Sequence, residues 1–204
     1  RHRSFALRHR ESEANVAGII ISDPDIGTQR YGLTPAGRDA AAASAQAFAE
    51  AALAEGVGPP VVLVASDFLR TRETADVFGE SLRALGKASR LLLAEEARER
   101  RFGELEGGPN GRYEEVWACD RADPASGALG AESVEAVRRR TAGLVARLEA
   151  ELEDDGSVVV IVSHGDALQI LQTAFQGVSP AEHRSLQHLS PAELRELMPA
   201  AEPA

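Results

Sequence analysis

Two aliphatic runs constrain this chain more than any other feature, Val61–Ala65 and Val158–Val162. Each is continuous rather than alternating, rich in β-branched side chains and too short for a buried helix. Each therefore reads as a strand covered on both faces. Leu91–Leu93 and Phe5–Leu7 are shorter runs of the same kind. Between them lie segments of helical period. Thr34 caps a helix that opens at Pro35 and runs through alanines to about Glu55, with Gly56–Pro60 ending it. A second helix is expected from about Arg70 to Leu85. A third runs from about Ser133 to Glu153, with Val134, Val137, Leu144, Val145, Leu148 and Leu152 at helical spacing. A fourth runs from about Ala167 to Phe175.

Strands alternating with amphipathic helices predict an α/β fold, a three-layer αβα sandwich around a mostly parallel sheet. No internal repeat or low-complexity linker divides residues 1–204, so a single domain is expected. Ser22–Tyr31 reads as a polar loop. Residues 98–131, rich in glycine, proline and charge, read as a small insertion over one end of the sheet. The tail has two readings. Ser190-Pro191-Ala192-Glu193 resembles a capping box that starts a helix, whereas Leu194 and Glu196 alternate like an edge strand.

Composition narrows the functional classes. Of 204 residues, 44% are apolar but only 4% aromatic, which suits alanine-rich helices on a few aliphatic strands. The formal charge of -10 gives no general attraction for nucleic acid. No apolar run approaches the roughly 20 residues of a membrane-spanning helix. The one cysteine, Cys119, cannot form an internal disulfide. That leans towards an intracellular, cytoplasmic setting, or an organelle if a presequence has been removed. His2, His9, His164, His183 and His188 show no zinc-helix spacing, so no metal is expected. Neither a Gly-x-Ser-x-Gly elbow nor a Walker sequence is present.

In such a fold, ligands bind at the carboxyl ends of strands. His9, Ser66 and His164 each follow a predicted strand within a few residues and so can share one crevice. Arg8-His9 alone reads equally as a solvated strand end, and His164 before Gly165 as a helix cap or an anion site. Arg70 and Arg72 either bind an anion or pair with Glu73 and Asp76. Arg98, Arg100 and Arg101 form a basic run against the global charge. Glu99 lies inside it, where neighbouring arginines lower a carboxyl pKa and desolvation raises it.

Taken together these segments resemble the histidine phosphatase superfamily, phosphoglycerate mutase-like, of the branch 1 type. Leu7-Arg8-His9-Arg10-Glu11-Ser12-Glu13-Ala14-Asn15 resembles its Arg-His-Gly-x-Ser-x-x-Asn signature. Leu33-Thr34-x-x-Gly37 is similar to its Leu-Thr-x-x-Gly segment. Ser66 to Ala75 resembles Ser-x-x-x-Arg-x-x-x-Thr-Ala, and Glu99 to Gly107 resembles Glu-x-x-Phe-Gly-x-x-Glu-Gly. Ser163-His164-Gly165 matches the second histidine.

The resemblance implies that His9 attacks phosphorus and becomes a phosphohistidine, that Arg8, Asn15, Arg70 and His164 hold the phosphate, and that Glu99 serves as general acid and base. It further implies Arg10, Ser12, Arg100 and Tyr113 as candidate substrate contacts, with no cofactor. For attack, the other ring nitrogen of His9 must donate, with a backbone carbonyl the expected acceptor. Arg10 departs from the family's glycine. Either it clashes with a positive-φ path or it reaches the substrate as a further clamp. Trp117 is expected chiefly to anchor the insertion.

A phosphatase acting on a small-molecule phosphate ester is the favoured reading, because Gly108–Glu132 is short and poor in arginine. A phosphoglycerate mutase-type transfer is the alternative, and a weak or inactive phosphate-binding module, motivated by Arg10, is another. Neither nucleic acid nor a membrane is an expected partner, and a homodimer is left open.

Overall fold

The computed structural model describes residues 2–53, 58–153, 156–191 and 193–199. Along the chain they form β1 (Arg3–Arg8), α1 (Glu13–Ala17), α2 (Pro24–Gly27), α3 (Pro35–Ala52), β2 (Val61–Ala65), α4 (Leu69–Ala84) and β3 (Ser89–Leu93). The insertion contributes short 3₁₀ turns and α5 (Tyr113–Asp120). Then come α6 (Val134–Glu151), β4 (Val158–Ser163), α7 (Gly165–Gln176) and β5 (Leu194–Glu196).

The strands make one sheet in the order β3-β2-β4-β1-β5, parallel except for β5, which runs antiparallel to β1. Because side chains alternate across a strand, the sheet feeds two cores. Phe5, Leu7, Leu63, Val158, Val160 and Val162 face Phe48 of α3 and Phe78 of α4. Ala6, Val62, Val64, Val159 and Ile161 face Leu144 and Leu148 of α6 and Leu168 and Leu171 of α7. Double coverage explains why β2 and β4 read as unbroken aliphatic runs: every residue in them is buried. Edge strand β3 is covered less fully, and Leu92 and Leu93 are exposed.

Several expected boundaries move, each for a local reason. The polar segment after Ser22 is not all loop, since Asp23 caps the one-turn helix α2 with Pro24 in its first turn. Helix α3 stops at Ala52 because Leu53 turns extended, and the expected end near Glu55 lies outside the described residues. Helix α6 likewise stops at Glu151, with Leu152 extended. Helix α7 starts at Gly165, earlier than expected, because extended His164 is its N-cap. In the tail the helix reading is corrected. Glu193 does reach back to the Ser190 amide (3.2 Å), but its own amide donates to Ser190 O (2.9 Å), closing a turn that delivers β5 to the free edge of β1.

The sheet sets the site because the ends of β2, β4 and β1 are level. Arg8 pairs with Ser163, the His9 amide donates to Ser163 O (2.9 Å), and the Ser66 amide donates to Val162 O (3.0 Å). The loop after His9 is then pinned from the side by α3. Glu11 O accepts from the Thr34 amide (3.1 Å), and an ideal Cβ on Gly37 would lie 2.2 Å from that oxygen. In an ordinary helix, glycine to alanine adds stability by roughly 1 kcal/mol. Gly37→Ala should do the opposite and lose about 1–3 kcal/mol in a urea titration, since the Glu11–Ser12 backbone must give way.

Candidate active site

Arg70, near the start of α4, is buried and reaches across both imidazoles. Its Nε donates to His9 Nε2 (3.2 Å), and its Nη2 donates to His164 Nδ1 (3.0 Å) and Ile21 O (2.9 Å). A guanidinium can only donate, so both of these ring nitrogens must present lone pairs. The opposite nitrogens confirm this. His9 Nδ1 lies 2.8 Å from Arg10 O, an acceptor only, and so carries the proton. The acceptor expected from sequence is therefore present. His164 Nε2 then donates to Ser66 Oγ (2.9 Å). The two rings meet edge to face, with centroids 5.2 Å apart and planes at 63°.

Electrostatics favour a neutral pair of bases around an anion site. His9 and His164 are held well below the ordinary imidazole value, first by burial and then by the charge of Arg70. Burial also lowers Arg70, to about 10. Its Nη1 is buried without a partner among the described residues, as is Arg8 Nε. Unpaired buried guanidinium donors are costly, and an anion's oxygens are what would satisfy them.

Glu99 is buried beside them. Its Oε1 accepts from the amides of Arg100 (3.0 Å) and Ala167 (3.1 Å). Burial pushes its carboxyl up, and so does Asp166, while Arg70 and the two amides pull it down. Desolvation thus outweighs the neighbouring arginines, the balance sequence alone left open.

The structure does not bring every candidate into the pocket. Arg8 is at its edge, donating to His188 Nε2 (2.8 Å) and Leu189 O (3.1 Å). Ser12 and Asn15 cap α1 reciprocally: Asn15 Oδ1 accepts from the Ser12 amide (3.1 Å) and hydroxyl (2.9 Å). Ser12 is fully buried in that cap, which corrects its reading as a substrate contact. Arg10 is corrected likewise. Its guanidinium donates to Ser44 Oγ on α3 and to Pro191 O, and its φ is not positive, so it neither clamps substrate nor strains the backbone.

Arg100 is the third correction. It is fully buried, forks onto Asp120 of α5 (both bonds 2.7 Å), and reaches Asp166 (3.3 Å) and Glu132 O (2.8 Å). It ties the insertion to α7. Tyr113 packs edge-on against Phe102 and stacks on Trp117, and Arg184 lies 3.7 Å over the Trp117 ring. Burial and then Glu99 raise the Tyr113 phenol.

Sequence reasoning missed three neighbours. Asp166 follows the His-Gly pair directly, which was a usable signal. His183, whose Nε2 lies 3.6 Å from Asp166 and 3.7 Å from Asp120, and His188 sit in a tail without a pattern to single them out.

Level parallel strand ends carrying two imidazoles around a buried arginine with unpartnered donors define an α/β protein with one cationic site at the carboxyl ends of its strands. The sequence profile of the histidine phosphatase superfamily (branch 1) matches residues 5–202, and the chain belongs to that superfamily. A search of curated proteins returns no match in sequence.

Among solved structures, a mycobacterial glucosyl-3-phosphoglycerate phosphatase in complex with VO3 is similar at 25% identity, over 95% of this chain and 90% of that one, with a TM-score of 0.74. A protein described as mycobacterial hydrolase 2 is similar at 26% identity, over 95% and 80%, with a TM-score of 0.74. A putative alpha-ribazole-5'-P phosphatase from Escherichia coli shares the fold, at 18% identity over 95% and 89% with a TM-score of 0.68.

Two histidines buried neutral leave a mark on stability. Their folded pKa values lie below 6.5, so the unfolded chain binds more protons as pH falls through that value, and stability present above it is lost. Glu99, raised in the fold, acts in the opposite sense but is one group against two. The urea midpoint should fall between about pH 7 and pH 5, and the fall should be smaller in His9→Asn and His164→Asn variants.

Proposed function

We propose that the chain hydrolyses phosphate monoesters of small metabolites, without a metal, through a phosphohistidine on His9. One observation carries this reading: the Nδ1–H of His9 is fixed on Arg10 O, leaving an Nε2 lone pair beside Arg70. That is the tautomer a nucleophile needs.

In this reading the phosphoryl oxygens take the open donors Arg70 Nη1 and Arg8 Nε. The side-chain amide of Asn15, whose Oδ1 is held in the α1 cap, joins them as the family resemblance implies. His9 Nε2 attacks phosphorus as the ester P–O bond breaks, and the bonding pair leaves on the ester oxygen. Glu99 protonates that oxygen through Oε2, because Oε1 is already held by two amides. The resulting Glu99 carboxylate then takes a proton from water, which attacks the phosphohistidine and releases phosphate. The dianion's oxygens draw Arg70 Nη2 off His164 Nδ1, and its charge favours protonating that freed nitrogen, which then donates to the phosphoryl group.

Hydrolysis is favoured over mutase-type transfer by what Arg100 does. A bisphosphate needs extra cations, and Arg100, a basic residue beside Glu99, is bound to Asp120 and Asp166. The inactive-module reading rested on Arg10, whose side chain is stowed against Ser44 and Pro191. The resemblance to a phosphatase structure at 25% identity and a hydrolase structure at 26% supports the class of reaction and leaves the particular ester open.

p-Nitrophenyl phosphate should turn over in chelator. His9→Ala should abolish turnover, and Arg70→Ala should slow it about 10²–10³-fold. Phosphate binding without turnover across a panel of esters would leave a binding module, and interconversion of phosphoglycerates with bisphosphate present would indicate a mutase.

The pH profile follows from the two buried groups. Activity needs His9 neutral and Glu99 protonated, and these values are lowered and raised respectively. With an alkyl phosphate, kcat/KM should peak on the acid side of neutrality, and its alkaline limb should vanish in Glu99→Gln along with most of the rate.

A further inference from the structure

The two arginines that flank the nucleophile are held by one short stretch of the C-terminal tail. Arg8 Nη1 donates to His188 Nε2 (2.8 Å) and Leu189 O (3.1 Å), while Arg10 Nη1 donates to Pro191 O. Leu189 is fully buried and fastens this stretch to the sheet. The packing is close. An ideal Cβ on Gly165 would lie 3.3 Å from both Arg8 Cζ and His188 Cε1, so the glycine beside His164 lets the pair lie across the start of α7.

The bond between Arg8 and His188 fixes the state of the imidazole. Arginine donates only, so His188 Nε2 must be a lone pair. The proton then sits on Nδ1, which lies 3.1 Å from Gln169 Oε1 on α7. Arg184, stacked on Trp117, donates to the same Gln169 oxygen.

We propose that His188 is a positioning residue for the phosphate site: its neutral imidazole holds Arg8 by Nη1 so that Nε faces the anion, and protonation of His188 releases that grip. The inference rests on the phosphatase reading, in which Arg8 binds the phosphoryl group.

A charged His188 would have no acceptor for Arg8 and would repel it. The surroundings keep the ring neutral: burial, then Arg8 and then Arg184 lower its affinity for a proton. Asp166 of α7 and Glu193, just before β5, oppose them. Arg195 of β5 also lies near, donating to the His188 carbonyl (3.4 Å).

The test is calorimetric binding of inorganic phosphate to the full chain at about pH 7.5 and about pH 5.5, on either side of the ordinary imidazole range. His188→Ala should weaken binding about tenfold at the higher pH, the loss of one hydrogen bond that orients a charged group. His188→Gln, whose amide oxygen accepts from Arg8 at either pH, should stay within about threefold of the parent at the higher pH and lose the parent's extra weakening in acid. In turnover the same loss should appear in KM rather than kcat. Long-range proton–nitrogen spectra of the His188 ring should show Nδ1 protonated and Nε2 bare near neutrality. Nε2 found protonated, or His188→Ala binding like the parent with the same pH trend, overturns this inference alone. A parent that binds no phosphate overturns the phosphatase reading and this inference with it.

Discussion

The site depends on one buried guanidinium. Arg70 donates to an imidazole on each side and to the Ile21 carbonyl, so three segments far apart in sequence are indexed to a single planar group. Planarity matters, because a lysine in that place would offer charge without fixing three directions. The arrangement also selects chemistry. By demanding lone pairs from both imidazoles, the guanidinium keeps Nε2 of His9 and Nδ1 of His164 unprotonated beside a cation.

That guanidinium works only because the sheet delivers its partners to one level. Parallel register between β1, β4 and β2 ends all three strands together, and the first residues past them are His9, His164 and Ser66. Each strand end is fixed by a backbone bond to its neighbour, so the imidazoles inherit the rigidity of the core. The insertion adds the cover. Phe102, Leu105 and Val116 build their own small core against Ile20, and Arg100 fastens it to α7.

The sheet was legible in sequence because burial on both faces leaves an unbroken aliphatic run, and the starts of the long helices were legible where a side chain caps them, as at Thr34 and Ser133. The one-turn helices capped by Ser12 and Asp23 are too short to show a period. Helix ends were less so, since Leu53 and Leu152 turn extended without a glycine to mark them. The tail misleads for a related reason. The Glu193 side chain does accept from the Ser190 amide, half of a capping box, but the Glu193 amide goes to the Ser190 carbonyl and the chain pairs with the edge of β1. In the site, the motif placed His9, Arg70 and His164 correctly around one pocket. It could not show that Ser12, Arg10 and Arg100 spend their polar groups elsewhere, because the partners Ser44, Pro191 and Asp120 belong to no pattern of spacing.

Those partners supply a rule for reading the arginines. Arg98 is paired with Asp67, Arg100 with Asp120 and Asp166, and Arg140 with Glu132. Each charge is neutralised within the fold, and the Arg98 and Arg100 pairs join segments 20 or more residues apart. Arg70 is buried and Arg8 half-buried, yet their bonds go to imidazoles and carbonyls, which accept without cancelling charge. Burying a cation without a bonded carboxylate is costly, and the charge of nearby Glu99 offsets part of that cost for both arginines. Arg10 shares their lack of a carboxylate, but its two Nη atoms end on a hydroxyl and a carbonyl away from the imidazoles, and they hold the tail instead. An acidic chain therefore holds a cationic pocket through which residues lack a carboxylate, a distinction that composition cannot express.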